Sequence, residues 1–368
     1  MMANRMRILA PLLVGLFLGG CATTGPGEMA MVRGGADHAG HYGQTAGAEA
    51  PIQAAWSRAT GEPSYSSPLV TAERVYFGDG SGVVHALDRA TGEVLWRHDT
   101  GSTIEAAPAL AGERLIVGSW DGVVRALDTA DGSPVWRFET DGEAYSAPTV
   151  TEERIYFGSA DGHVYALTRG SGELVWSFEA GDGVYSSPAV ADGRVYFGSL
   201  DGNVYAVRAK DGQEVWRFGT GKPIFASPAV GHGLVVVGGY DKTMHALDAA
   251  SGSQRWRFRT GNRIAASAAL TPKLAIFAST DGYVYAVAHQ TGVKEWDFRS
   301  QGKIYGSPSV GGDTVYVGSN DDRLYALEVA SGQKRWAHNA HTDIYASPIP
   351  TGGRTYFATV EGAIVALE

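Results

Sequence analysis

Apolar and polar positions along the chain fall into short alternating runs, and the runs return in the same order every forty residues. In one copy, Ala144-Tyr145-Ser146-Ala147-Pro148-Thr149-Val150 reads as an extended first strand and Arg154-Ile155-Tyr156-Phe157-Gly158 as a second. Val164-Tyr165-Ala166-Leu167 reads as a third and Leu174-Val175-Trp176-Ser177-Phe178 as a fourth. The runs are filled with β-branched and aromatic residues and separated by glycine-bearing turns. The turn Ala160-Asp161-Gly162 is a hairpin signal, read here as two successive positions of positive φ. Four short antiparallel strands per unit make a propeller blade.

Tryptophan fixes the period. Trp56, Trp96, Trp136, Trp176, Trp216, Trp256, Trp296 and Trp336 fall at intervals of 40, and only Trp120 lies off the series. A constant period in this range signals a solenoid or a propeller. The first strand of each unit decides between them, because its centre is small: Ser66-Ser67-Pro68, Ala106-Ala107-Pro108, Ser186-Ser187-Pro188, Gly306-Ser307-Pro308. Blades converging on an axis need small residues there, and proline is tolerated where a channel-lining strand has a free edge. Residues 51–368 hold just under eight units. The last stops at Ala366-Leu367-Glu368 without its tryptophan strand, while a spare one stands around Trp56 at the front. The predicted fold is therefore all-β: an eight-bladed β-propeller of four-stranded antiparallel blades, closed by an N-terminal strand so that no sheet edge stays open.

Ahead of the propeller, Arg5 and Arg7 precede the apolar run 8–18, then Gly19-Gly20 and Cys21. These are the parts of an export signal over residues 1–20, and the run is too short for the ~20 residues that span a bilayer. Cys21 is the only cysteine, so an exported chain has no internal disulfide. Residues 21–50 lack apolar periodicity and read as a flexible tether, with His38 and His41 as solvated tether residues rather than metal ligands.

Composition narrows the function classes. With 50 glycines among 368 residues the chain is turn-dense, which disfavours a helical protein. The net charge of −9 becomes more negative once Arg5 and Arg7 are removed. An acidic chain repels phosphate backbones, so no nucleic-acid partner is expected.

Leu18-Gly19-Gly20-Cys21 resembles the lipobox of bacterial lipoproteins, which implies lipid attachment at Cys21. Ala22, not Asp, follows, and the resemblance then implies the outer membrane. The pattern Ala-x-Asp-x-x-x-Gly-x-x-x-Trp, seen from Ala86 to Trp96, Ala126 to Trp136 and Ala246 to Trp256, resembles the tryptophan-docking motif of pyrroloquinoline-quinone-type eight-bladed propellers. Thr168, Arg208, Ala288 and Glu328 replace its Asp in other copies. Two branches of that superfamily matter. Quinoprotein dehydrogenases carry a cysteine pair against the quinone and long insertions with calcium ligands; here there is one cysteine and every tryptophan interval is 40. No cofactor, metal or catalytic residue is therefore expected, and the lone carboxylate Glu105 is not read as a calcium ligand.

The BamB-type branch matches in length, anchor and blade count. It implies a non-enzymatic, lipid-anchored scaffold on the periplasmic side of the outer membrane, touching the membrane through its lipid alone. Its partner would be an envelope protein, such as a subunit of the β-barrel assembly machinery. A quinone-dependent dehydrogenase and a glycan-binding surface lipoprotein are the alternatives.

Several residue series have structural readings. Asp121, Asp161, Asp201, Asp241, Asp281 and Asp321 are turn residues rather than a calcium ring. His85 and His245 take the place of a packing tyrosine, and Tyr65, Tyr145, Tyr185, Phe225, Tyr305 and Tyr345 pack around the channel mouth. Positions shared by all copies specify the fold, so a partner should use positions that differ. The turn tips run Gly80, Trp120, Ala160, Leu200, Tyr240, Thr280, Asn320, Val360. Trp120, Leu200 and Tyr240 are the candidate partner-binding residues, with Glu105 and Arg263, which break their own series on the same face.

Overall fold

The structure, a computed structural model, describes residues 33–42, 46–49 and 52–368. The export signal and Cys21 lie outside the described residues. Strands assemble into eight four-stranded antiparallel sheets, and in seven of them the strands follow chain order from the axis outward. The eighth is composite: Ala54–Ala59 pairs antiparallel with Ala363–Leu367, placing Trp56 opposite Ala366. The chain ends are thus joined in one blade, as the repeat count requires.

The docking motif explains its own residues. The Trp56 indole Nε1 donates to Arg89 O at 3.0 Å in the next blade. Its ring lies flat over Gly92, where an added Cβ would come within 2.6 Å. Gly92 also has φ +72°, so glycine is required twice over. The Asp88 carboxylate accepts the backbone N–H groups of Ala90 and Thr91 at 2.9 and 2.8 Å, tightening the turn that carries this carbonyl and glycine. Where Thr168 replaces the Asp, its hydroxyl meets Ser171 Oγ at 2.7 Å and accepts from Glu173 N–H.

Three local expectations change. The first strand is shorter than 144–150: the ladder spans only Thr149–Val150, because the preceding stretch is tied to its neighbours by side chains. The turn between second and third strands has one positive φ, not two, at Gly162 (φ +90°), with Gly162 N–H donating to Ser159 O. This is a type I turn closed by a left-handed residue.

The largest change concerns the tether. Residues 33–42 enter the channel and run along the free edges of the inner strands. The carbonyls of Ala36, Asp37, Ala39 and Gly40 accept from Val190, Val230, Leu270 and Val310 N–H at 2.6, 2.8, 2.6 and 3.0 Å. Unpaired inner-edge N–H groups need acceptors, and a segment with Gly34, Gly35, Ala36, Ala39 and Gly40 between its larger residues is slim enough to reach them. His38, expected in solvent, is only 3% exposed and sits 2.8 Å from Thr149 Oγ1. His41 is half-buried, bridged to Val310.

Candidate functional site

The channel wall is a belt of serines. Ala147 N–H donates to Ser187 Oγ, and Ser187 to Ser227, Ser227 to Ser267, Ser267 to Ser307, Ser307 to Ser347 and Ser347 to Ser67, all at 2.9–3.2 Å. Each bond ties one blade to the next, so the small residues serve the ring as well as the taper. Ala107 and Ala147 interrupt the belt. Within it lies a cavity of about 200 Å³, floored by Arg33 and His38 and rimmed by Tyr65, Tyr145, Tyr185 and Phe225.

The rim is where variable residues gather. Each tip hydrogen-bonds to the loop entering the inner strand of its own blade: Trp120 N–H to Thr103 O, Leu200 to Gly183 O, Tyr240 to Pro223 O. Tips and entry loops therefore share a face. Trp120, 44% exposed, lies 6.4 Å from Tyr145. Tyr145 follows onto Tyr185 at 5.0 Å, Tyr185 onto Phe225 at 5.6 Å, and Phe225 stacks on Tyr240 at 4.7 Å. Arg263 closes this arc with its guanidinium 4.8 Å above the Tyr240 ring. A second arc joins Tyr305, Tyr345 and Tyr65.

The structure thus brings Trp120, Tyr240, Glu105 and Arg263 together at one mouth. Leu200 is half-buried at its own tip on the same face. Burial, then the hydrogen bond and charge of Glu105, push the Tyr145 hydroxyl well above its usual range. Glu105 and Ala265 are the two breaks in the aromatic series and lie four blades apart, on opposite sides of the ring. The entry loops are electrically divided as well. Blades one to four carry Glu62, Glu105, Asp141, Glu143 and Asp182; blades five to seven carry Lys222, Arg263 and Lys303.

The other series behave as turn and packing residues. Asp161, Asp201, Asp281 and Asp321 each accept a hydrogen bond from the tyrosine four positions on, at 2.6–2.9 Å. His245 makes the same contact to Asp241 at 2.9 Å, and His85 stacks on Phe77 while bonding Asp79. Among the described residues no three His, Cys, Asp or Glu side chains gather as a metal site. Glu105 stands alone in its cavity, so these residues do not fit a calcium–quinone pair.

Two features escaped the sequence reading. One is the channel floor, where burial, then the nearby Arg33 charge, bring His38 down to about 3, and burial brings Arg33 down to about 10. The other is an uneven perimeter: outer strands of blades one to four expose Val94, Leu95, Val135, Leu174, Val175 and Val215. Blades five to seven carry Gln254-Arg255, Lys294-Glu295 and Lys334-Arg335 there. Comparing the fourth strands copy by copy, rather than as a consensus, would have found it.

Solved structures share this architecture. BamB from Moraxella catarrhalis superposes with a TM-score of 0.75 at 20% identity, covering 87% of this chain and 98% of its own. The computationally designed Ika8 protein gives 0.76 at 19% identity, covering 88% and 99%. Quinohemoprotein alcohol dehydrogenase from Comamonas testosteroni gives 0.77 at 15% identity, covering 92% and 80%. At these identities the likeness is one of fold. No curated protein matches the chain. The family described as outer membrane protein assembly factor BamB matches residues 46–103, 80–186, 160–297 and 280–368, spanning the whole propeller, and the chain belongs to that family.

Proposed function

We propose that this BamB-family propeller is a non-enzymatic scaffold that holds an envelope protein on its channel-mouth face and assists assembly of outer-membrane β-barrels. The observation that carries the reading is the rim. Exposed Trp120, and Tyr240 paired with Arg263, stand on a closed, rigid ring; Trp120 and Tyr240 occupy tips where the repeat otherwise gives Ala160, Thr280 or Asn320. Aromatic and arginine side chains on a rigid surface anchor protein interfaces with little ordering cost. The acidic and basic halves of the entry loops add orientation, since a partner of complementary pattern docks in one rotation only. In this reading Cys21 carries the lipid.

The test is a purified Trp120→Glu, Tyr240→Glu double variant beside Val293→Glu on the opposite face. With folding intact, the double variant loses co-purification of β-barrel assembly subunits and Val293→Glu keeps it. Equal retention by both removes the rim from the interface.

A further inference from the structure

The floor of the channel holds a buried cation with no ion-pair partner among the described residues. Arg33 is 6% exposed. Its Nε donates to His38 O at 3.3 Å and its Nη2 to Ala268 O, while Nη1 has no hydrogen-bond partner. The Asp37 carboxylate in the same segment acts on it through space, yet no carboxylate forms an ion pair with it among the described residues. A guanidinium taken out of water needs both charge compensation and partners for its N–H groups.

His38 has the complementary gap. Thr149 Oγ1 donates its hydrogen to Pro188 O at 2.5 Å, so it accepts from His38 Nε2 at 2.8 Å. The hydrogen is therefore on Nε2, and Nδ1, buried without a partner, presents a lone pair. Both residues line the same cavity, whose walls are serine, alanine and proline and whose upper part is tyrosine and phenylalanine.

We propose that this cavity is a binding site for a small monocarboxylate with an aromatic or compact apolar body. The carboxylate meets the Arg33 guanidinium at the floor, and the body lies against the rings of Tyr145, Tyr185 and Phe225. The Nδ1 lone pair and Glu105 above both oppose a second negative charge, which selects a monocarboxylate over a phosphate dianion. The site lies beneath the rim, so it stands whether or not a protein docks above.

The test is isothermal titration of the full chain with 3-phenylpropionate, with its neutral amide 3-phenylpropanamide, and with inorganic phosphate. The acid binds one to one, the amide at least tenfold more weakly, and phosphate does not displace the acid. Arg33→Gln lowers acid affinity at least tenfold and leaves the amide unchanged, and Arg33→Lys recovers part of the loss. Glu105→Gln, which leaves the floor untouched, tightens the acid two- to threefold. That arm decides the matter if Arg33→Gln releases the segment, as seen by hydrogen exchange at Val190, Val230, Leu270 and Val310. Equal binding of acid and amide, displacement by phosphate, or no saturable binding overturns the proposal; the last would mean the floor is satisfied by water.

Discussion

Replacing a docking tryptophan by phenylalanine should cost very different amounts at two positions that the repeat makes equivalent. Indole Nε1 donates to a carbonyl of the next blade from Trp56, Trp96, Trp176, Trp216, Trp256 and Trp296, at 2.6–3.1 Å. Trp136 Nε1 is buried without a partner. Trp56→Phe keeps most of the buried ring and deletes one hydrogen bond, which is worth about 1 kcal/mol. Trp136→Phe deletes a donor whose desolvation, about 1–3 kcal/mol, is uncompensated in the fold, so it should be neutral or stabilising. Trp56→Ala removes the ring too and should cost about 3–5 kcal/mol. Gly92→Ala supplies a cycle: its Cβ would press within 2.6 Å of the Trp56 ring at a backbone of φ +72°. Without the ring, only the left-handed backbone cost of about 1–2 kcal/mol should remain. Urea unfolding followed by circular dichroism measures each term. Equal losses for the two Trp→Phe variants, or an unchanged Gly92→Ala cost in the Trp56→Ala background, would refute this account of blade docking.

Three further outcomes are expected. Burial, then Arg33, hold the folded pKa of His38 at about 3, below the ordinary value of about 6.5, so the released segment takes up a proton first. Docking of residues 33–42 is therefore complete above about pH 6.5 and weakens as pH falls toward about 3, by up to about 1.4 kcal/mol per unit. Intrinsic-rate-corrected exchange at Val190 and Val310 should rise between pH 7 and pH 5, and a flat profile counts against it. Lys242 holds φ +67° where most copies place glycine, so Lys242→Gly should raise stability by about 0.5–1 kcal/mol in the same unfolding assay; a loss would mean the Lys242 side chain is a net stabilising contact. Cys21→Ser should leave the protein in the soluble fraction or unprocessed, whereas wild-type protein without acyl mass at Cys21 would remove the lipoprotein reading.

Much of this structure was legible because a strict repeat prints its own constraints. The forty-residue tryptophan spacing gave blade count, the missing and spare strands gave the closure, and Gly92 beneath Trp56 is the contact the motif encodes. The candidate rim was legible through the exceptions to the repeat: Trp120, Glu105, Tyr240 and Arg263 deviate from the other copies and lie on one face. The channel floor was not, because residues 36–40 bind through backbone carbonyls, which any side chain can accompany. A stretch rich in small residues looks the same whether it is loose or threaded along unpaired strand edges. Turn type was misread for a related reason: Asp-Gly fits both a two-residue turn and a type I turn followed by one left-handed residue, and only φ separates them.

The central claim, that a protein partner docks on the channel mouth, is tested most directly by photocrosslinking in living cells. A photoreactive amino acid replaces Trp120 or Tyr240 on the rim, or Val293 on the opposite face. The account predicts adducts with a subunit of the β-barrel assembly machinery from Trp120 and Tyr240 and none from Val293. Adducts from Val293 with a silent rim would contradict it.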